Sequence, residues 1–120
     1  MYIIGGKKMT FFDRVKGKKL TVRYESGFAF TIVYPEEGLL SWKALGESIA
    51  VTQEEEKYEV LEIRDGLYFV NWVEGPGTVL SQLLDFESGK VSAFMTWNDD
   101  TAFGKRAKIL HKGVFTVEEA

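Results

Sequence analysis

Residues Tyr58–Phe86 read YEVLEIRDGLYFVNWVEGPGTVLSQLLDF, and this stretch decides the fold. Two turn signals, Asp65-Gly66 and Gly75-Pro76-Gly77, cut it into three runs. Asp-Gly readily takes the positive φ that a tight hairpin needs, so the runs on either side of it are expected to pair. In the middle run Tyr68, Val70 and Trp72 share one face at a spacing of two, which is the period of a strand. Glu74 continues that face. Burying an unpaired carboxylate is costly, so a glutamate in phase with core residues is the first functional candidate.

The same reading extends in both directions. Lys19-Leu20-Thr21-Val22-Arg23-Tyr24-Glu25 alternates strictly and predicts a half-buried strand. Ser26-Gly27 turns it into Phe28–Tyr34, and Pro35 and Gly38 separate that run from Leu39–Ala44. Gly46–Glu56 reads as a loop or a short strand around Ile49–Val51, with Glu54–Glu56 expected to be a solvated acidic face. After the opening stretch come Val91–Trp97, the polar loop Asn98–Gly104, and a long strand Lys105–Val117 with a possible kink at Gly113. Turn signals recur about every ten residues and leave no room for a long helix, the mark of an antiparallel meander. About eight strands in simple succession can close into a barrel whose interior is filled by side chains or holds one small ligand. A two-sheet sandwich is the alternative; consecutive tight hairpins favour the barrel, because Greek-key sandwiches need longer crossings.

Ahead of the strands, Met9, Phe12 and Val15 recur every three residues and suit one short amphipathic turn capped by Thr10 or Asp13. Residues 1–17 are thus a helical lid packing Phe11 or Phe12 on the end of the sheet, or a frayed tail, and residues 18–118 the barrel.

Composition narrows the function. A chain of 120 residues is expected to form one domain. A net charge of −3 without a basic run argues against nucleic acid. With no cysteine, disulfides and thiolate chemistry are excluded. The lone His111 cannot assemble a zinc site, so no metal or cofactor is expected. No window is long and apolar enough to span a membrane, and MYIIGGKKM is too short for a secretory core, which leaves the cytoplasm as the default compartment.

Extending the phases strand by strand sends Tyr24, Tyr34, Trp42, Tyr68, Trp72, Glu74, Gln82 and His111 inward among aliphatic residues. An apolar wall with a few converging polar groups is the usual make-up of a ligand pocket, and these eight are the candidate ligand contacts for a small aromatic or apolar molecule. Trp42, Trp72 and Trp97 could equally fill the barrel, which would leave an interaction module or a homodimer. Glu74 has three possible places: the solvated rim, a cavity, or an ion pair with Arg23 or Lys43. Facing a cavity beside Tyr24, it could serve as a general acid or base, because an apolar wall raises a carboxyl's pKa.

Together, Tyr24-Glu25-Ser26-Gly27-Phe28, Tyr58-Glu59-Val60, Asp65-Gly66-Leu67-Tyr68-Phe69-Val70-Asn71-Trp72-Val73-Glu74 and Gly77-Thr78-Val79 resemble two related lipocalin-like families. One is the MoaF-like family, named for a molybdenum-cofactor biosynthesis protein; the other is the bacterial phenolic acid decarboxylases. The resemblance covers roughly Lys18 to Trp97 and implies an all-β, up-and-down lipocalin-like (calycin) barrel with an internal cavity. The decarboxylases use two tyrosines on the first strand, an arginine near the third and fourth strands, and a glutamate ending the Trp-containing strand. Carried across, the second tyrosine matches Tyr24 and the glutamate matches Glu74. Val22 stands at the first tyrosine and Val51 near the arginine, so decarboxylation is not expected. The MoaF-like pattern fits the length of the chain better and implies a binding barrel.

Overall fold

The computed structural model describes residues 9–46 and 53–120. Strands β1 (Lys18–Tyr24), β2 (Ala29–Glu36), β3 (Leu39–Leu45), β4 (Gln53–Arg64), β5 (Leu67–Val73), β6 (Val79–Asp85), β7 (Lys90–Asn98) and β8 (Arg106–Glu119) pair in chain order. Every pair is antiparallel, and β8 returns to β1 to close the barrel, as the hairpin spacing predicts. Closure leaves no unpaired sheet edge.

The seam depends on one glycine. Gly113 pairs with Tyr24 across β1 and with Val91 across β7, so β8 runs through it as a continuous strand. A Cβ placed there would lie 2.0 Å from the Arg23 carbonyl oxygen. Only glycine lets the first and last strands approach so closely.

Inward positions follow the period-two phases. Leu20, Val22 and Tyr24 on β1, Tyr68, Val70 and Trp72 on β5, and Gln82 and Leu84 on β6 are all buried. Val60 keeps its inward phase but is exposed, on the border of a shallow cavity of about 290 Å³ with Met9, Phe11, Glu62 and Tyr68.

A short helix, α1 (Phe11–Val15), closes one end. Thr10 and Asp13 form a reciprocal capping box: the Thr10 hydroxyl accepts from the Asp13 amide at 3.1 Å, and the Thr10 amide donates to Asp13 Oδ2 at 2.9 Å. Five residues cannot hold a helix by themselves, so packing must do it. Phe11 is buried against the edges of Tyr34, Tyr58 and Tyr68 at centroid distances of 5.5, 5.7 and 5.1 Å. Burying such a ring contributes about 1.5–3 kcal/mol. Arg14 ties the helix down, donating to the Tyr68 hydroxyl at 2.8 Å and to Asp65 at 3.0 Å. The lid reading therefore holds for residues 9–15, while residues 1–8 lie outside the described residues.

One expectation fails. Glu54–Glu56 is not a solvated face but the start of β4, paired with β3 from Lys43↔Gln53 to Leu39↔Lys57. Alternation then turns Glu55 outward and Glu54 and Glu56 inward, with Glu56 only 5% exposed. Strand pairing overrides the preference of a charge run for water. The proposed short strand at Ile49–Val51 falls outside the described residues.

Candidate functional site

Away from α1, the barrel encloses a cavity of about 680 Å³ to which every strand contributes. Val22 and Tyr24 come from β1, Phe30 and Ile32 from β2, and Trp42 and Trp72 from β3 and β5. Leu80, Met95 and Ile109 extend the apolar wall on β6, β7 and β8. Around the end of the cavity stand Phe28, Glu54, Glu74, Pro76, Thr78 and Trp97, from hairpins and strand ends. The three tryptophans line this space without filling it.

Three carboxylates meet here for a reason set by register. β4 and β5 pair at Tyr58↔Trp72, and continuing that register by two residues brings Glu56 opposite Glu74. Glu54 lies two residues along on the same face of β4. Oxygen atoms of Glu54, Glu56 and Glu74 all lie within 4.8 Å of one another. Such a group could hold a hard cation through oxygen ligands.

Two tryptophans anchor the acids. Trp42 Nε1 donates to Glu56 Oε2 at 3.1 Å, and Trp72 Nε1 donates to Glu74 Oε2 at 3.1 Å. Desolvation nevertheless pushes the Glu56 carboxyl up to about 7, helped by a hydrogen bond shared with Glu54 and by the charges of Glu74 and Glu54. Glu74 is raised as well, first by burial and then by the charge of Glu54, against the Trp72 hydrogen bond. Near neutral pH the group therefore shares a proton.

Across the cavity, Gln82 Nε2 donates to the Tyr24 hydroxyl at 3.2 Å. The other end of that amide, Oε1, has no partner among the described residues, although Gln82 is 1% exposed. Burial raises the Tyr24 hydroxyl and lowers His111, leaving a neutral imidazole at pH 7. His111 lies 4.8 Å from the Tyr24 ring and joins Ser26 Oγ through Nδ1 at 2.9 Å. No acid is seen on the other imidazole nitrogen among the described residues, so the pair lacks the orienting third member of a hydrolytic triad.

Of the eight residues singled out from the sequence, Tyr24, Trp42, Trp72, Glu74, Gln82 and His111 line this cavity. Tyr34 and Tyr68 do not. They belong to the aromatic cluster under α1, where Tyr68 holds Arg14 and Tyr34 packs on Phe11 and Tyr58. Glu74 is half-buried at the cavity, bound to the Trp72 indole rather than to Arg23 or Lys43. Val22 is fully buried in the wall, beside Tyr24, and Val51 lies outside the described residues. Glu54 and Glu56 escaped the sequence reading; carrying the inward phase of Tyr58 back by two and four residues finds both.

Comparison with known proteins agrees with the architecture. A Burkholderia vietnamiensis protein provisionally named a beta-lactamase has a crystal structure that superposes with a TM-score of 0.73. The match covers 93% of this chain and 100% of that one at 20% sequence identity, which speaks for the fold alone. No curated protein matches the chain significantly. The family model described as MoaF-like matches residues 16–109, from the end of α1 into β8. With its barrel and most of its length matched, the chain belongs to the MoaF-like family.

Proposed function

We propose that this MoaF-like chain is a binding barrel that takes a small apolar or aromatic molecule into its cavity. The observation that carries this is the space itself: about 680 Å³ bounded by Trp42, Trp72 and Trp97. That volume is within the usual range of small-molecule sites. A filled barrel would favour an interaction module instead, and this one retains room for a guest.

The test is titration with a neutral fluorescent naphthylamine, N-phenyl-1-naphthylamine. One site per chain is expected, with binding weakened at least tenfold by Leu80→Trp, which fills the wall. Absence of binding, or binding indifferent to Leu80→Trp, would overturn the reading.

A second reading, acid–base catalysis in the same cavity, is favoured by one observation: Glu74 faces the same cavity as Tyr24, and burial raises its carboxyl pKa. Under that reading Glu74→Gln abolishes turnover and spares binding. Decarboxylation of hydroxycinnamic acids is not expected, because Val22 replaces a hydroxyl and, among the described residues, no lysine or arginine lines the cavity. Loss of the cinnamate absorbance band on incubation would refute this.

A further inference from the structure

We infer that the ligand of this cavity is an organic cation, an ammonium carried on a flat apolar body. Its ammonium sits on Glu54 and Glu74, and its body lies against Trp42 and Trp72. This deepens the binding reading above and rests on it.

Two independent observations converge. The first is charge: two carboxylates line the cavity, a third stands behind them, and among the described residues no lysine or arginine lines it. An anionic guest would meet only like charge, whereas an ammonium has partners. The second is the free acceptor. Gln82 is almost wholly buried in the cavity wall, its amide nitrogen is engaged by Tyr24, and its Oε1 has no partner. A buried, unmatched acceptor calls for a donor, and here the guest would supply it.

The walls support the same chemistry. The indole N–H groups of Trp42 and Trp72 are already committed to Glu56 and Glu74, so those donors are not available to an anionic or acceptor-rich guest. Their π-faces remain, and a cation near an indole face is attracted by its quadrupole. Carboxylates bracketed by indoles thus select for positive charge twice, by ion pairing and by cation–π contact.

Calorimetric titration with three probes sharing one ring decides the matter: tryptamine (cationic), indole (neutral) and indole-3-acetate (anionic), at pH 7.5 and low salt with a chelator present. Tryptamine should bind at least tenfold more tightly than indole, and indole-3-acetate more weakly than either. Glu74→Gln and Glu54→Gln should each cut tryptamine affinity at least tenfold while changing indole affinity less than twofold. Gln82→Leu should weaken tryptamine, and thermal melting will establish that each variant is folded. If indole or indole-3-acetate binds as tightly as tryptamine, or if neither glutamate variant lowers tryptamine affinity, the cationic assignment falls and the binding barrel stands. If none of the three binds and the naphthylamine also fails, both readings fall. If the naphthylamine binds while none of the three does, the cationic assignment alone is overturned.

Discussion

The carboxylate group in the cavity should make this protein less stable as pH rises through neutrality, and Glu56→Gln should remove most of that effect. Glu56 is buried close to Glu54 and Glu74, and has its pKa pushed from an ordinary 4.5 to about 7, chiefly by desolvation. A folded-state pKa above the unfolded value means that the folded chain binds more protons between pH 4.5 and about 7. Stability therefore falls with increasing pH across that window and stays lowered above it. At 1.36 kcal/mol per pH unit, the full penalty is about 3 kcal/mol, shared with the neighbours that set it. For a domain of this size, that is a melting shift of roughly 10 °C.

Glutamine keeps an oxygen for the Trp42 indole and cannot ionise, so it separates charge from packing. At pH 5 the variant should be the more stable by only about 1 kcal/mol, since Glu56 is then still protonated in the folded chain and the unfolded carboxyl has only begun to ionise. At pH 8 the variant should be more stable by about 3 kcal/mol. Glu74, also raised, adds to the fall in the wild type and persists in the variant. His111 acts with opposite sign: its lowered pKa costs stability as pH falls below 6.5. His111 is common to the two proteins and cancels in their difference, whereas Glu74, which is coupled to Glu56 by charge, contributes to it in part. Urea or thermal unfolding from pH 5 to 8 measures that difference, and parallel curves for the two proteins would refute the reasoning.

Other consequences are open to direct measurement. Gly113→Ala should destabilise the barrel by about 3 kcal/mol or more in urea unfolding, because the added carbon meets the β1 backbone, which can yield only by opening the seam. Phe11→Ala should cost roughly 3–5 kcal/mol by removing the centre of the lid-end aromatic cluster. It should leave naphthylamine affinity within twofold, because that cluster is apart from the cavity; a tenfold loss would tie the two ends together. Tryptamine binding near pH 7 should release protons, since an ammonium beside the shared carboxyl proton favours its departure. Titrations in phosphate and in Tris would then differ in apparent heat, with the sign of release; equal heats would count against the contact.

Much of this molecule was legible because its turns are. Ser26-Gly27, Asp65-Gly66 and Gly75-Pro76-Gly77 pin the ends of the strands, and once the ends are fixed, period two assigns each side chain to a face. Alternation carries no information on height along the barrel. Tyr34, Tyr68, Tyr24 and Trp72 share the inward phase, but the first two sit under the lid and the last two in the cavity. Only the position of α1 separates them. Glu54 and Glu56 were hidden for a different reason: three consecutive acids look like surface, and what places two of them inside is the pairing of β4 with Leu39–Lys43. The Ser26–His111 contact joins residues 85 positions apart across the β1–β8 seam, and no local pattern announces it.

The two ends of the barrel also differ energetically, and that difference bears on function. At the lid end, rings pack edge to face and Arg14 has both Tyr68 and Asp65 as partners, so the packing contributes to folding without any guest. At the cavity end, Trp42 and Trp72 hold carboxylates that repel one another and hold a proton to limit the repulsion. Folding alone gains little from that arrangement: an apolar residue at Glu56 would suit a buried position better. An ammonium on Glu54 and Glu74 reverses the sign, replacing repulsion by attraction. Because a ligand stabilises the folded chain by an amount that rises with the logarithm of its concentration over its dissociation constant, the thermal shift caused by tryptamine should grow from pH 5 to pH 8 as the carboxyl proton leaves. The bare protein should become less stable over the same range. A ligand-induced shift that is flat in pH would mean that the carboxylates do not meet the bound cation, even if the cavity holds it.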